Sequence, residues 1–402
     1  QLDLFAEVLA RAGADYVEEI DEVAAMEAAI DGMLGSLDPH SSYLSPDDFE
    51  AMQIQTSGQY GGLGIEVTQE DGFVKVVTPM DDTPASRAGL KSGDLFTAIN
   101  GEPIVGLDLD DAVRGMRGEP GTDLTITILR EGEDAFDVTL TREVIQPKSV
   151  TWKMAEDDIA YIRISTFNER TTELLQEAMT GIATEAGGRP SGIILDLRNN
   201  GGGLLDQAIS VSDVFLSGGE VVSTIGRRPG DIARYNARAG ETFKNVPLVV
   251  LINNGSASAS EIVAGALQDR GRATVVGLTS FGKGSVQTVI PLGADRGAIR
   301  LTTARYYTPA GRSIQATGIE PDIEIAQERV SEEELARIRR YTEADLPNAL
   351  GKDKGSERRA AHLPDDQPPE DYEGDDYQLE RAIDLLKTGN LTTSLVDKST
   401  PG

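Results

Sequence analysis

A serine and a lysine 25 residues apart, Ser258 and Lys283, are the side chains in this sequence best placed to do chemistry. Both lie in PLVVLINNGSASASEIVAGALQDRGRATVVGLTSFGKGSVQTVIPL, from Pro247 to Leu292. Leu248 to Ile252 is a continuous apolar run that reads as a buried strand, and Asn253, Asn254 and Gly255 end it as a turn would. The small residues Ser256 to Ser260 let the backbone pass close to a bound group, and Glu261 to Leu267 continues as an apolar helix. A helix N-terminus offers unpaired N–H groups and a partial positive charge, which suits an oxyanion forming in a transition state. Ser258 with Glu261 also fits Ser-x-x-Glu, the pattern of a capping box. A purely structural serine is therefore the competing reading.

The residues the chain lacks narrow the choice of base. It has no cysteine and two histidines, His40 and His362, the second in an acidic, proline-rich tail. A thiol nucleophile is excluded. A Ser-His-Asp arrangement would have to use His40, which reads as structural within the turn LDPHSSYL. Lysine acts as a base only when neutral, and burial favours the neutral form. Lys283 stands between Gly282 and Gly284, which permit close packing, and near Phe281, which can exclude water. Gln287 shares a face with Lys283 on an extended strand and could hold the amine. Gly277, Gly282 and Lys283 also reproduce most of a phosphate-binding loop. That pattern fails at Gly284, where a hydroxyl should hold magnesium, and at Ser285 to Leu292, which reads as a strand where a helix is required.

GSASASEI followed by FGKGSVQ resembles the carboxy-terminal processing proteases, also called tail-specific proteases, the Ser-Lys peptidase family S41. The resemblance implies Ser258 as nucleophile, Lys283 as general base and Gln287 as the residue orienting it. It also implies an oxyanion hole made by the Ala259 N–H and one N–H of DLRNNGGGLL, where Gly202 and Gly203 are candidates and Gly202 is favoured. Gly201 stands where the family often has proline. Asp269, eleven residues after Ser258, reads as part of the helix C-terminal turn.

The elements that must position these residues divide the chain into four expected regions: an N-terminal helical region 1–57, a domain 58–145, a protease core 146–327 and a C-terminal region 328–402. Gln1 to Leu37 predicts two amphipathic helices broken near Gly13. Between Gly58 and Val144, short alternating runs are punctuated by Asp71-Gly72, Asn100-Gly101 and Glu131-Gly132;. With GGLGI and SRAGLKSGDLFTAINGEPI this region resembles a PDZ domain, which implies that Gly62, Leu63, Gly64 and Ile65 bind a peptide C-terminus through backbone N–H groups. Arg117, in MRGEPGT at the end of the expected groove helix, is expected to regulate activity, since in the family the matching arginine faces the protease core. Strands are expected at Ile159 to Ile164 and Gly192 to Leu197, and a helix at Thr171 to Glu185. A charged helix is predicted from Ser331 to Tyr341. Asp365 to Asp376, with seven acidic residues and no basic one, reads as a mobile, solvated loop before a helix at Tyr377 to Lys387;.

Composition bounds the partners. The net charge of −30 disfavours nucleic acid and anionic membrane surfaces;. The longest apolar run is too short to span a bilayer. Gln1 is not a start methionine, so a lost leader is expected, and with zero cysteine the chain is expected to be periplasmic or secreted, with membrane association left open. The expectation is an α+β multidomain protein, a crotonase-like ββα protease core with an inserted PDZ domain and helical N- and C-terminal extensions. Its expected activity is that of a serine endopeptidase that captures protein C-terminal tails and needs no metal or other cofactor. An adaptor protein is an open partner, and the helices at both chain ends are expected to form a homo-oligomer. The alternatives are a non-catalytic peptide-binding scaffold and an apolar-ligand carrier on the same fold.

Overall fold

The computed structural model describes residues 1–391 except 71, 229, 294, 330, 332, 334–341, 352, 354–362 and 365. Most of the expected helix from Ser331 to Tyr341, and His362, lie outside the described residues. The chain divides into two compact units, Gln1–Thr56 with Ser149–Gly402, and Ser57–Lys148.

The larger unit is built on a six-stranded sheet in the order Val150–Met154, Ile159–Ile164, Gly192–Asp196, Leu248–Ile252, Thr274–Gly277, Ile323–Glu324. The first pair is antiparallel and the others are parallel. Strands covered on both faces need apolar residues at every position, and GIILD and LVVLI are buried throughout. Their side chains alternate. Ile193, Leu195, Leu248, Val250 and Ile252 join a core with Leu175, Phe215, Ile262 and Val263 from three helices, Thr171–Glu185, Leu205–Phe215 and the serine helix Ala259–Asp269. Ile194, Val249 and Leu251 face the other way and pack with Ala382 and Leu385 of the C-terminal helix Tyr377–Thr388. Each fully buried Leu or Ile contributes roughly 1.5–3 kcal/mol. A second, five-stranded sheet joins Ser42–Leu44, Ala298–Tyr307, Gly219–Gly226 and Ile232–Ala237, with Ser285–Pro291 paired to Ala298–Tyr307.

Three expectations are corrected here, and one element is added. The apolar stripe of the C-terminal helix is covered by its own chain, so the stripe is not free to form the expected oligomer contact. The acidic stretch before it is tied down: Asp366 accepts from Tyr377 Oη and Arg381 Nε, and Asp376 pairs with Arg198. The first helix, Leu2–Asp15, runs through Gly13, and the break falls before Asp21, whose carboxylate caps the Val23 and Ala24 N–H groups of Glu22–Gly35. A further helix, Pro46–Ser57, was not expected because it lacks an apolar stripe. Its start is marked by Ser45, whose Oγ accepts from Asp48 N–H at 3.1 Å;.

In the Ser57–Lys148 unit, strands Ile65–Glu70, Phe73–Pro79, Leu95–Ile99, Asp123–Leu129 and Phe136–Thr141 form an antiparallel sheet around Val74, Phe96, Leu124, Ile126 and Ile128. A groove helix, Leu109–Met116, adds Ala112 and Met116 to that core.

Candidate active site

The three serines of SASAS differ in what their hydroxyls do. Ser256 is fully buried, donating to Leu197 O at 2.8 Å and accepting from Asn253 N–H at 3.0 Å. Ser260, also fully buried, donates to Asn200 O at 2.9 Å. Ser258 instead lines a cleft of about 730 Å³ together with Lys283, Gln287, Arg300 and Gly201 to Gly203. It occupies the N-cap of the serine helix with φ 55° and ψ −112°. A non-glycine residue held there costs roughly 1–3 kcal/mol and persists only where its surroundings over-determine it. Glu261 supplies part of that constraint, its carboxylate accepting from Ser258 N–H at 2.7 Å. The capping interaction and the cleft position thus coexist in one residue.

Lys283 follows Gly282, whose φ is +98° and where a Cβ would press on the backbone of Ala316 and Thr317. A strand follows the lysine, Ser285–Pro291, where a phosphate loop would need a helix;. Burial lowers the Lys283 pKa and Arg300 pushes the same way, while Glu343, Glu261 and Asp38 oppose them. The net depression enlarges the neutral, basic fraction. No hydrogen bond joins the Ser258 hydroxyl to the Lys283 amine among the described residues. Gln287 donates from Nε2 to Ser285 Oγ at 3.0 Å and Thr302 Oγ1 at 3.2 Å, which leaves its carbonyl oxygen as the end that can receive a proton donor;.

The glycine loop approaches the serine closely. A Cβ on Gly202 would lie 2.8 Å from Ser258 Cβ and 2.9 Å from Ala259 N. The expectation that Gly202 supplies an oxyanion N–H is corrected in this conformation, because that N–H donates to Asn200 Oδ1 at 2.9 Å. The Gly203 and Ala259 N–H groups make no hydrogen bond among the described residues. Asn200, fully buried, also donates to Ile164 O and accepts from Ala257 N–H through its own carbonyl. Sequence reading missed Asn200, Arg300 and Glu343, and took Glu261 only as a cap. For Asn200 the available signal was a polar residue beside a glycine-rich loop; Arg300 lies in the strand Ala298–Tyr307 and Glu343 in the short helical turn Glu343–Asp345, where no such signal marked them.

His40 does not line the cleft that holds Ser258. Its Nε2 lies 2.8 Å from the fully buried Glu343, and its backbone N–H donates to Asp38 at 2.9 Å. Asp269 pairs with Arg312 and accepts from Ala310 N–H at the helix end. Among the described residues no group of three or more His, Asp or Glu side chains is arranged to hold a metal ion.

In the smaller unit Gly62, Leu63, Gly64 and Ile65 line one groove with Val67, Val113 and Met116. Leu63 and Gly64 N–H groups make no hydrogen bond among the described residues. Gly64 has φ +73°, and a Cβ there would meet Thr83 at 2.3 Å. Arg117, exposed at the groove rim, lies 5.0 Å over the Tyr60 ring;.

The chain matches the peptidase family S41 over residues 158–325 and the PDZ domain over residues 75–130. It is 47% identical to the carboxy-terminal-processing protease of Bartonella bacilliformis over 98% of this chain and 89% of that protein. It is 33% identical to the carboxy-terminal processing protease CtpA of Bacillus subtilis, covering 77% of this chain and 66% of that relative. Among solved structures it is similar to a photosystem II D1 C-terminal processing protease, with 31% identity, coverage of 83% and 90%, and a TM-score of 0.48. With that identity across nearly the full length of the Bartonella relative, this chain belongs to the carboxy-terminal processing proteases of peptidase family S41 and carries a PDZ domain.

Proposed function

We propose that the protein is a serine endopeptidase with a Ser258-Lys283 dyad that degrades or processes proteins captured by their C-terminal tails. The observation that carries this reading is the single cleft lined by Ser258, the pKa-depressed Lys283 and Gln287 beside the glycine loop. Lys283 takes the proton of Ser258 as the hydroxyl attacks a peptide carbonyl, then returns it to the leaving amine. The open Ser258-Lys283 pair closes on substrate binding, since catalytic hydrogen bonds often tighten only in the complex. The oxyanion is held by the N–H groups of Ala259 and Gly203. Gln287 orients the lysine through its carbonyl oxygen. No metal or nucleotide takes part.

The Gly62 to Ile65 loop holds the tail carboxylate, and Arg117 at the groove rim couples tail binding to turnover. The mostly parallel sheet with helices on both faces supports a crotonase-like core over residues 146–327, with the PDZ domain inserted as residues 58–145 and helical regions at 1–57 and 328–402. The first helix has no buried residue and exposes Leu2, Leu4 and Val8, which supports a second copy of the chain as its partner;. A cysteine-free composition supports an extracytoplasmic, oxidising setting;. Incubation with unfolded casein tests the reading: the protein should cleave it without added metal or ATP, and Ser258→Ala, Lys283→Ala and Lys283→Arg should not, because guanidinium stays protonated. Turnover by Lys283→Ala near the parent rate would sink the mechanism.

A further inference from the structure

Glu261 is fully buried in the first turn of the serine helix and does not line the cleft. Its carboxylate is surrounded by donors. Oε2 accepts from Ser258 N–H at 2.7 Å and Lys283 N–H at 2.9 Å. Oε1 accepts from Gly282 N–H at 2.7 Å and Ser280 Oγ at 2.6 Å. The Ser280 hydroxyl is itself an acceptor for Ile319 N–H at 2.7 Å, which directs its proton to Glu261. Three of the four partners are N–H groups, which cannot accept, so the site is built for an acceptor-only, ionised carboxylate. One side chain therefore joins the backbone of the nucleophile to the backbone of the base, 25 residues apart in sequence.

We propose that the ionised Glu261 carboxylate is a positioning residue of the Ser-Lys reaction, fixing Ser258 in its positive-φ conformation and setting its separation from Lys283 through their two N–H groups. The inference rests on the Ser-Lys reading of the cleft. Without this acceptor the Ser258 N–H, in a residue only 8% exposed, would have no partner, and the positive-φ N-cap would lose what holds it;. Burial pushes the Glu261 carboxyl up to about 7, against the pull of Ser280 and the N–H groups of Ser258, Gly282 and Lys283. The charged groups facing Lys283 are Arg300 from the long antiparallel strand, Asp38 from the segment before Ser42, Glu343, which also pairs with His40, and Glu261 itself. Arg300 favours the neutral amine, and the three carboxylates favour the ammonium.

These signs give the proposal two opposed signatures in the pH profile of kcat/KM. Activity needs neutral Lys283 and ionised Glu261, so both groups act on the acid limb. Glu261→Gln removes an anion that stabilises the ammonium, and the limb moves to lower pH while kcat falls roughly 100-fold with KM little changed. Its amide NH₂ must also face two of the donors. Ser280→Ala keeps the charge but removes one donor, so Glu261 protonates more readily and the limb moves to higher pH. The test is to measure both profiles on the full chain with an unfolded protein substrate, alongside Ser258→Ala and a thermal unfolding scan. Opposite shifts of the limb support the proposal, and if Glu261→Gln does not fold, the upward shift of Ser280→Ala alone decides it. Unmoved midpoints, with or without a loss of rate, overturn it and leave Glu261 a structural cap. If Ser258→Ala retains the parent activity, it is the Ser-Lys reading itself that has failed.

Discussion

Two glycine loops in this molecule differ in how much of their backbone is already engaged. In the loop at Gly201 to Gly203, the Gly202 N–H is taken by Asn200 while the Gly203 N–H makes no hydrogen bond among the described residues, and beside the cleft Glu261 takes the N–H groups of Ser258 and Lys283. In the loop at Gly62 to Ile65, the Leu63 and Gly64 N–H groups make no hydrogen bond among the described residues, and the groove lining is largely apolar. Both loops need glycine for close approach or positive φ;. The difference is whether a buried polar side chain accepts from the amides. Where it does, the geometry is locked for chemistry. Where it does not, the amides wait for an acceptor from outside, as a carboxylate-binding nest does.

The comparison breaks most sharply at Gly202. Gly202→Ala places a methyl against Ser258 and Ala259, and kcat should fall by about 10²–10³-fold, the scale of losing an oxyanion donor. Tail-peptide affinity, measured by calorimetry, should not change. A wild-type kcat would show that the glycine loop is not part of the site.

pH separates the loops next. Lys283 must be deprotonated to act, so activity should rise with pH and then level off, losing at least about tenfold per pH unit below the midpoint. Tail binding depends on backbone amides and should stay flat between about pH 6 and 9, where no groove side chain titrates. Tyr60, pushed above its ordinary range by burial, remains neutral there. Parallel pH profiles for binding and turnover would erase the distinction.

Gly64→Ala is the reciprocal change. It should raise KM for a tailed substrate by about tenfold, through strain at φ +73° and the contact with Thr83, while leaving kcat on a short peptide intact;. A matching loss on both substrates would mean the groove is not a tail site. The smallest effect is expected for Asn200→Ala, which leaves the Gly202 N–H without its acceptor and should destabilise the larger unit by about 1–3 kcal/mol in a denaturant titration. An unchanged midpoint would show that the amide is satisfied without Asn200.

The sequence was most informative where residue type and spacing carry the physics directly. GIILD and LVVLI are strands covered on both faces, and their apolar runs say so. Thr171–Glu185 was legible to the residue from its periodicity. Pro46–Ser57 was not, because its apolar residues Phe49, Ala51, Met52 and Ile54 do not fall on one helix face;. The C-terminal helix was recognisable as a helix, but its cover comes from Ile194, Val249 and Leu251, far away in sequence, and a stripe does not say what it packs on. The site followed the same rule. Ser258, Lys283 and Gln287 were identifiable by type and spacing and share one cleft. The choice between Gly202 and Gly203 turned on a side chain two residues away accepting from one backbone N–H, which composition does not encode. Glu261 was visible as a cap, but its bonds to Gly282 and Lys283 exist only once the chain has folded.

The most direct test of the Ser258-Lys283 dyad is covalent labelling with a serine-directed fluorophosphonate, the adduct mapped by mass spectrometry across pH. The wild-type protein should carry one adduct, on Ser258, forming faster as pH rises, and Lys283→Ala should carry none. Labelling of Lys283→Ala at the parent rate, or an adduct on a serine other than Ser258, would contradict the account.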